Sequence, residues 1–216
     1  MQLQLNQIVV QPGQQLLLRN ISWDEFEAIL SELGENRAAR VKYSAGKLEI
    51  MVPLPEHEFC KKILGTLVET LLDELGIDFW PLGSVTIKKK SMNEGVEPDE
   101  CYYITNEAAV RGRDRLDFEV DPPPDLAIEV DITSQTTFDN YEVLKVPEFW
   151  KYDGKKLQIN VLRQGKYVAA SQSDIFPQID IFNLLPRLLE ESKTAGRARV
   201  IQKLKAAIKN LGNLRH

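Results

Sequence analysis

Two stretches carry the residues best suited to chemistry: Gly95-Val96-Glu97-Pro98-Asp99, and Asp125-Leu126-Ala127-Ile128-Glu129-Val130-Asp131. Successive side chains of an extended strand point to opposite faces. Leu126, Ile128, Val130 and Ile132 would therefore share one face, and Asp125, Ala127, Glu129 and Asp131 the other. Carboxylates a pleat apart repel and drive one another's pKa upward. A hard divalent ion such as Mg2+ removes that penalty, because it prefers carboxylate oxygen and bound water. Asp99, from the neighbouring strand, would close the same site. An edge strand with one solvated face gives the same alternation, since Asp and Glu are mostly exposed.

The remaining chain must position these acids. Leu16-Leu17-Leu18 reads as a short strand, and Ser22-Trp23-Asp24-Glu25 as a capping box. The box opens a helix with Phe26, Ile29, Leu30 and Leu33 on one stripe, ending near Gly34. Val41-Lys42-Tyr43 and the segment from Lys47 to Val52 flank Ser44-Ala45-Gly46 as a β-hairpin, in which Glu49 points away from Leu48 and Ile50. Pro53 to Glu58 leads into the clearest helix, about Glu56 to Leu75, with Phe59, Ile63, Leu67, Leu71 and Leu75 recurring at a spacing of four. An acid in its first turn suits the helix dipole without any chemical purpose, which is the reading for Glu56.

A strand from Gly83 to Lys90 follows, with a turn at Ser91 to Gly95. The lysine-rich strand is expected to pair antiparallel with the Asp99 strand and so bring Lys88 or Lys90 to the acids. Beyond the 125–132 strand, a short helix over Tyr141 to Lys145 precedes a meander of Phe149–Tyr152, Leu157–Leu162 and Tyr167–Ala170. Phe176 to Phe182 reads as a strand-like connector, and Leu184 to Ser192 and Arg197 to Leu211 as amphipathic helices.

A chain of 216 residues with 43% hydrophobic and 27% charged residues is expected to form one soluble domain with a substantial core. Cys60 and Cys101 have neither metal-ligand spacing nor a disulfide framework, and no apolar run approaches a membrane span. A cytoplasmic location is expected. The net charge of −5 argues against a dedicated nucleic-acid coat. It leaves room for an acidic site beside basic clusters such as Lys88-Lys89-Lys90, Arg111/Arg113/Arg115 and Arg197/Arg199.

Pro98-Asp99 followed by Glu129-Val130-Asp131 resembles the PD-(D/E)XK nuclease signature. Five segments in order resemble more specifically the Uma-type family of restriction endonucleases. They are Gly46-Lys47-Leu48-Glu49-Ile50-Met51, Pro55-Glu56-His57-Glu58, Gly95 to Asp99, Pro123 to Val130, and Val146-Pro147-Glu148-Phe149-Trp150. The resemblance implies an α/β fold with a restriction-endonuclease-like mixed central sheet flanked by helices, plus an extra N-terminal β-hairpin and C-terminal helices. It implies one domain over 1–216, with its core at about 40–170 and a helical extension at about 183–211.

The implied activity is Mg2+-dependent (alternatively Mn2+-dependent) cleavage of DNA. Asp99, Glu129 and Glu58 would serve as metal ligands, and Asp99, Glu129, Asp131, Lys88 and Lys90 as catalytic candidates. His57 is placed near the site, and Glu49 is either a ligand or a solvent-facing residue. Restriction-type enzymes often dimerise because two strands need two sites. One departure stands out: the family's usual third element is Lys, and here it is Asp131. The missing cation would come from Lys88, Lys90 or Lys145. The replacement position that many relatives use, four residues before a Tyr, is Thr137 here if that Tyr is Tyr141. A second reading follows: a nuclease-fold protein without turnover, acting as a DNA-binding or protein-interaction module. A hydrolase acting on a non-nucleic substrate is a third.

Overall fold

The computed structural model describes residues 7–34, 37–132 and 139–213. β1 (Gln15–Arg19), α1 (Trp23–Leu33) and the hairpin β2 (Arg40–Ser44) and β3 (Lys47–Met51) open the chain. The capping box forms as expected: the Ser22 hydroxyl accepts from the Glu25 N–H, and Glu25 accepts from the Ser22 N–H at 2.7 Å. Then come α2 (Pro55–Glu74), β4 (Trp80–Pro81), β5 (Ile87–Lys89), β6 (Glu94–Val96), β7 (Glu100–Tyr103), α3 (Glu107–Val110) and β8 (Leu126–Val130). The chain continues through α4 (Asp139–Leu144), β9 (Glu148–Tyr152), β10 (Leu157–Arg163), β11 (Lys166–Ala169), α5 (Ile181–Ala195) and α6 (Arg197–Asn213).

The mixed α/β architecture expected from the sequence is observed, with its strands divided between two sheets. One has five strands in the order β1-β3-β2-β6-β5, and the other has six in the order β11-β10-β9-β8-β7-β4. Neighbours are antiparallel except β8 and β9, which run parallel and are joined by the crossover that contains α4.

The main core lies on one face of the six-stranded sheet, where Leu126, Ile128 and Val130 meet Leu64, Leu67 and Leu71 of α2 and Leu185, Leu188, Val200 and Leu204 of α5 and α6. A second core lies around Ala127, Phe149, Tyr141 and Val146, with Ile87 and Val96 of the other sheet. A third packs Phe26 of α1 on Tyr43 of β2, their rings stacked with centroids 4.5 Å apart.

Gly95 lies under that stack: a Cβ there would stand 2.8 Å from the Phe26 ring. Phe26 is buried, so the ring cannot swing out to solvent. Gly95→Ala is expected to destabilise the fold by about 1–3 kcal/mol, the usual scale of overpacking, read as a lowered urea midpoint at unchanged m-value.

Three expectations need correction. The lysine-rich strand is short, and β5 pairs with β6 (Lys88↔Gly95, Lys89↔Glu94), while β7 pairs with β4 and β8. Glu97-Pro98-Asp99 crosses between the sheets, so β6 and β7, continuous in sequence, belong to different ones. The 176–180 connector has no strand. It leads into α5, which starts at Ile181 behind the N-cap Asp180 and accommodates Pro186 inside the helix. Burial of Ile181, Leu185, Leu188 and Leu189 offsets the backbone bond that proline forfeits.

Candidate functional site

Strand alternation builds the site from both sheets. On β2, Val41 and Tyr43 are buried in the third core, so Arg40, Lys42 and Ser44 face the other way. Their register fixes a row across the strands: Lys42 lies opposite Glu49 on β3 and Val96 on β6, and Arg40 lies opposite Met51. On β8, Ala127 belongs to the second core and Glu129 is next on that face. The acids emerge where the apolar filling ends. Arg40, Lys42, Glu49, Met51, Val96, Glu97, His57, Asp99, Glu129 and Asp131 line the resulting cleft, whose cavity is about 40 Å3. A wider groove of about 710 Å3 adjoins it and shares Arg40 and Glu97.

Asp99 is held from three sides. Its Oδ2 accepts from the Val130 N–H at 2.8 Å and stands 3.1 Å from His57 Nε2, while Arg40 lies 3.8 Å from Oδ1. Burial alone would raise its pKa; the His57 hydrogen bond and charge, the Val130 amide and Arg40 together hold it below the ordinary carboxylate value. Glu129 shows the opposite balance. Burial, then the charge of Asp99, push it well above its ordinary value against the Tyr141 hydrogen bond and the Lys42 charge. Both carboxyl groups line the same cleft, with Asp99 held toward its ionised form and Glu129 toward its protonated one.

His57, on the first turn of α2, is buried. Burial would depress its pKa, but Asp99 and Glu58 leave it raised. Its Nδ1 lies 3.4 Å from Glu58 Oε1, which is 3.6 Å from Arg40, so Asp99, His57, Glu58 and Arg40 close a ring of alternating charge. His57 Nδ1 and Glu58 Oε1 have no hydrogen-bond partner among the described residues.

The other candidates scatter. Asp131 lines the cleft, and its carboxylate pairs with Lys151 at 2.5 Å. Asp125 is structural: it accepts from the Ile104 and Asn106 amides at 2.7 and 3.0 Å and so ties β8 to the turn after β7. Lys88 and Lys90 are not brought to the acids. They pair with Glu27 and Asp24 of α1 at 2.7 and 3.3 Å, because β5 sits at the far edge of the five-stranded sheet. Lys145 ends α4 in the left-handed conformation, is exposed, and does not line the cleft. Thr137 lies outside the described residues.

Sequence reasoning missed Arg40, Lys42 and the anchoring by Tyr141, whose hydroxyl donates to Glu129 Oε1. Two cations at i and i+2 opposite buried Val41 and Tyr43 were the signal that could have found the first two. Tyr141 and its neighbour Asn140 also join the sheets. Asn140 Nδ2 donates to the Tyr43 carbonyl at 2.9 Å and to Glu94 at 2.5 Å, both on the five-stranded sheet.

The donor set fits a hard divalent ion. Among the described residues no cluster of three or more His, Cys, Asp or Glu is arranged to hold a metal. Mg2+ needs no such cage, since one or two carboxylates suffice while water and substrate phosphate complete its octahedron. Asp99 and the half-buried Glu129, both in the cleft lining, are the two carboxylates that could hold one.

A family model described as "Putative restriction endonuclease", Uma2, matches residues 23–191. Among solved structures, the chain is similar to a putative nuclease belonging to DUF820 from Anabaena variabilis. The identity is 16%, over 70% of this chain and 84% of that one, with a TM-score of 0.49. No curated protein matches the chain.

Proposed function

The chain belongs to the Uma2 family of putative restriction endonucleases, and from that premise we propose that it hydrolyses DNA phosphodiester bonds with a divalent metal held by Asp99 and Glu129. The observation that carries this reading is that Asp99 and Glu129 line one cleft together with Arg40 and Lys42. The paired acids suit a metal, and the cations beside them suit a phosphate. Neither feature is needed for packing, because both lie where the cores end.

When bound, Mg2+ or Mn2+ supplies a Lewis acid and an activated water. The chain's own residues do the rest. His57 and the Val130 amide keep Asp99 ionised and in place, and Tyr141 orients Glu129. Arg40 bridges Asp99 and Glu58, and Glu58 supports the site through that ring without facing the cleft itself. Asp131, paired with Lys151, contributes negative charge at the cleft wall and not the cationic hydrogen bond of the usual Lys. DNA is the proposed substrate, and a homodimer would give each strand its own site.

The second reading, a nuclease fold without turnover, draws on Asp131 at the Lys position. Calorimetry with Mg2+ or Mn2+, beside plasmid nicking, separates the two. Wild-type protein is expected to bind metal and nick, and Asp99→Ala combined with Glu129→Ala to lose both. Binding without nicking would establish the second reading. No binding, with or without DNA, would overturn the metal site.

A further inference from the structure

We propose that the outward face of α6 binds the phosphate backbone of duplex DNA, as an anchoring surface separate from the cleft. The choice of DNA as the polyanion rests on the nuclease reading above; the surface itself does not. α6 lies beyond residues 23–191, which the family model matches. Over Arg197–Asn213 it carries Arg197, Arg199, Lys203, Lys205 and Lys209 and no acid, in a chain with 32 acids to 27 Lys and Arg. An ordinary solvated face intersperses both signs.

Burial sorts these residues. Val200, Leu204 and Ile208 are buried in the main core, so the apolar face of the helix is already occupied and offers a membrane nothing to insert. Arg199, Lys203, Lys205 and Lys209 are exposed. At about 100° per residue, Arg199 and Lys203 fall on one edge of the exposed arc and Lys205 and Lys209 on the other, with Ala198, Gln202 and Ala206 between them. This arrangement works against the helix. Arg199/Lys203 and Lys205/Lys209 are like charges four residues apart, a spacing that destabilises. Arg197 and Arg199 sit in the first turn, where the dipole favours acids. Neighbouring elements offset only part of this. Lys203 pairs with Glu191 of α5, Lys205 with Glu74 of α2 at 2.7 Å, and Arg197 Nε donates to Thr66 at 3.4 Å. Exposed pairs of this kind contribute little. A polyanion laid along the face would relieve both penalties, and packing requires neither.

The test is the salt dependence of binding. Anisotropy of a labelled duplex, in EDTA over a range of salt concentrations, would compare wild type with Arg199→Gln plus Lys209→Gln, one cation from each edge. Lys155→Gln plus Lys156→Gln removes the same charge from the exposed turn between β9 and β10. The α6 pair is expected to weaken binding and flatten the slope of log affinity against log salt by about 1–2, since each phosphate contact supplies about 0.9. The turn pair should stay near wild type. Equal slopes in all three proteins would overturn the proposal, as would equal flattening by both pairs, which would mean that net charge alone acts. A wild type that nicks plasmid while the α6 pair binds unchanged would refute the anchor and leave the nuclease reading standing. An α6-dependent slope in a protein that nicks nothing would do the reverse.

Discussion

Glu129→Gln should yield a metal-free protein whose stability relative to wild type grows as pH rises above the ordinary glutamate value, yet one that no longer nicks DNA. The carboxyl group of Glu129 is pushed well above its ordinary pKa by burial and then by the Asp99 charge. An acid raised in the folded state contributes its full stability below its unfolded value of 4.5 and loses it as pH rises through the folded pKa. Glutamine keeps the geometry without that loss, because its oxygen still accepts from Tyr141 and its amide can donate to Asp99. In chelator, the melting difference between variant and wild type should open with rising pH and reach on the order of 1 kcal/mol or more. A chain of this size shifts by about 2–4 °C per kcal/mol. Added Mg2+ should then stabilise wild type by mass action and not the variant. Nicking should fall by more than the roughly 10–100-fold that loss of an outer-shell partner costs. A variant whose melting difference ignored pH would show that Glu129 carries no such strain.

Glu148→Ala should be among the most damaging stability changes. Glu148 is buried on β9 and accepts from Trp150 Nε1 at 2.5 Å, Ser173 Oγ at 2.6 Å and the Asp174 amide at 2.9 Å. Ser173 in turn accepts from the Ile175 and Phe176 amides, so one carboxylate pins the turn that leads from the meander to α5. The Trp150 and Phe176 rings pack beside it, their centroids 5.9 Å apart. Alanine leaves several buried donors unpaired, at about 3–5 kcal/mol in all. Glu148→Gln keeps two acceptances and turns its amide against the Asp174 N–H, for an intermediate loss of about 1–3 kcal/mol. The ranking wild type, Gln, Ala in thermal unfolding checks the assignment; equal stability of Gln and wild type would refute it.

Much of the fold was legible because local signals and burial agreed. Ser22 and Glu25 cap α1 as their spacing implies, and Ile63, Leu67 and Leu71 of the four-residue series are buried on α2, while its two ends, Phe59 and Leu75, are exposed. The 126–132 alternation puts Leu126, Ile128 and Val130 on the core face. Asp99 and Glu129 were legible as partners because Pro98-Asp99 and the β8 alternation are local patterns. What failed was non-local. Nothing in Lys88-Lys89-Lys90 says that its strand ends beside β6, at the edge of a separate sheet, and that one pairing moved two candidates from the cleft to α1. Lys42 and Arg40 were hidden for the same reason: their strand was read correctly as a hairpin, but a hairpin does not disclose which surface faces it. Asp125 shared its predicted face with Glu129 and proved to be a turn anchor, since backbone amides at the strand's start claim it first.

Asn140 and Tyr141 are adjacent in α4, and each grips a different sheet. Neighbouring helical residues point about 100° apart, so this one dipeptide reaches both sheets at once. It acts as a brace: the hold of Asn140 on Tyr43 and Glu94 and of Tyr141 on Glu129 adds a polar tie between the sheets to the apolar core they share through Ala127, Phe149, Ile87 and Val96. Because Tyr141 and Leu144 also belong to that shared core, a displacement of α4 would disturb the setting of Glu129 and the packing between the sheets together.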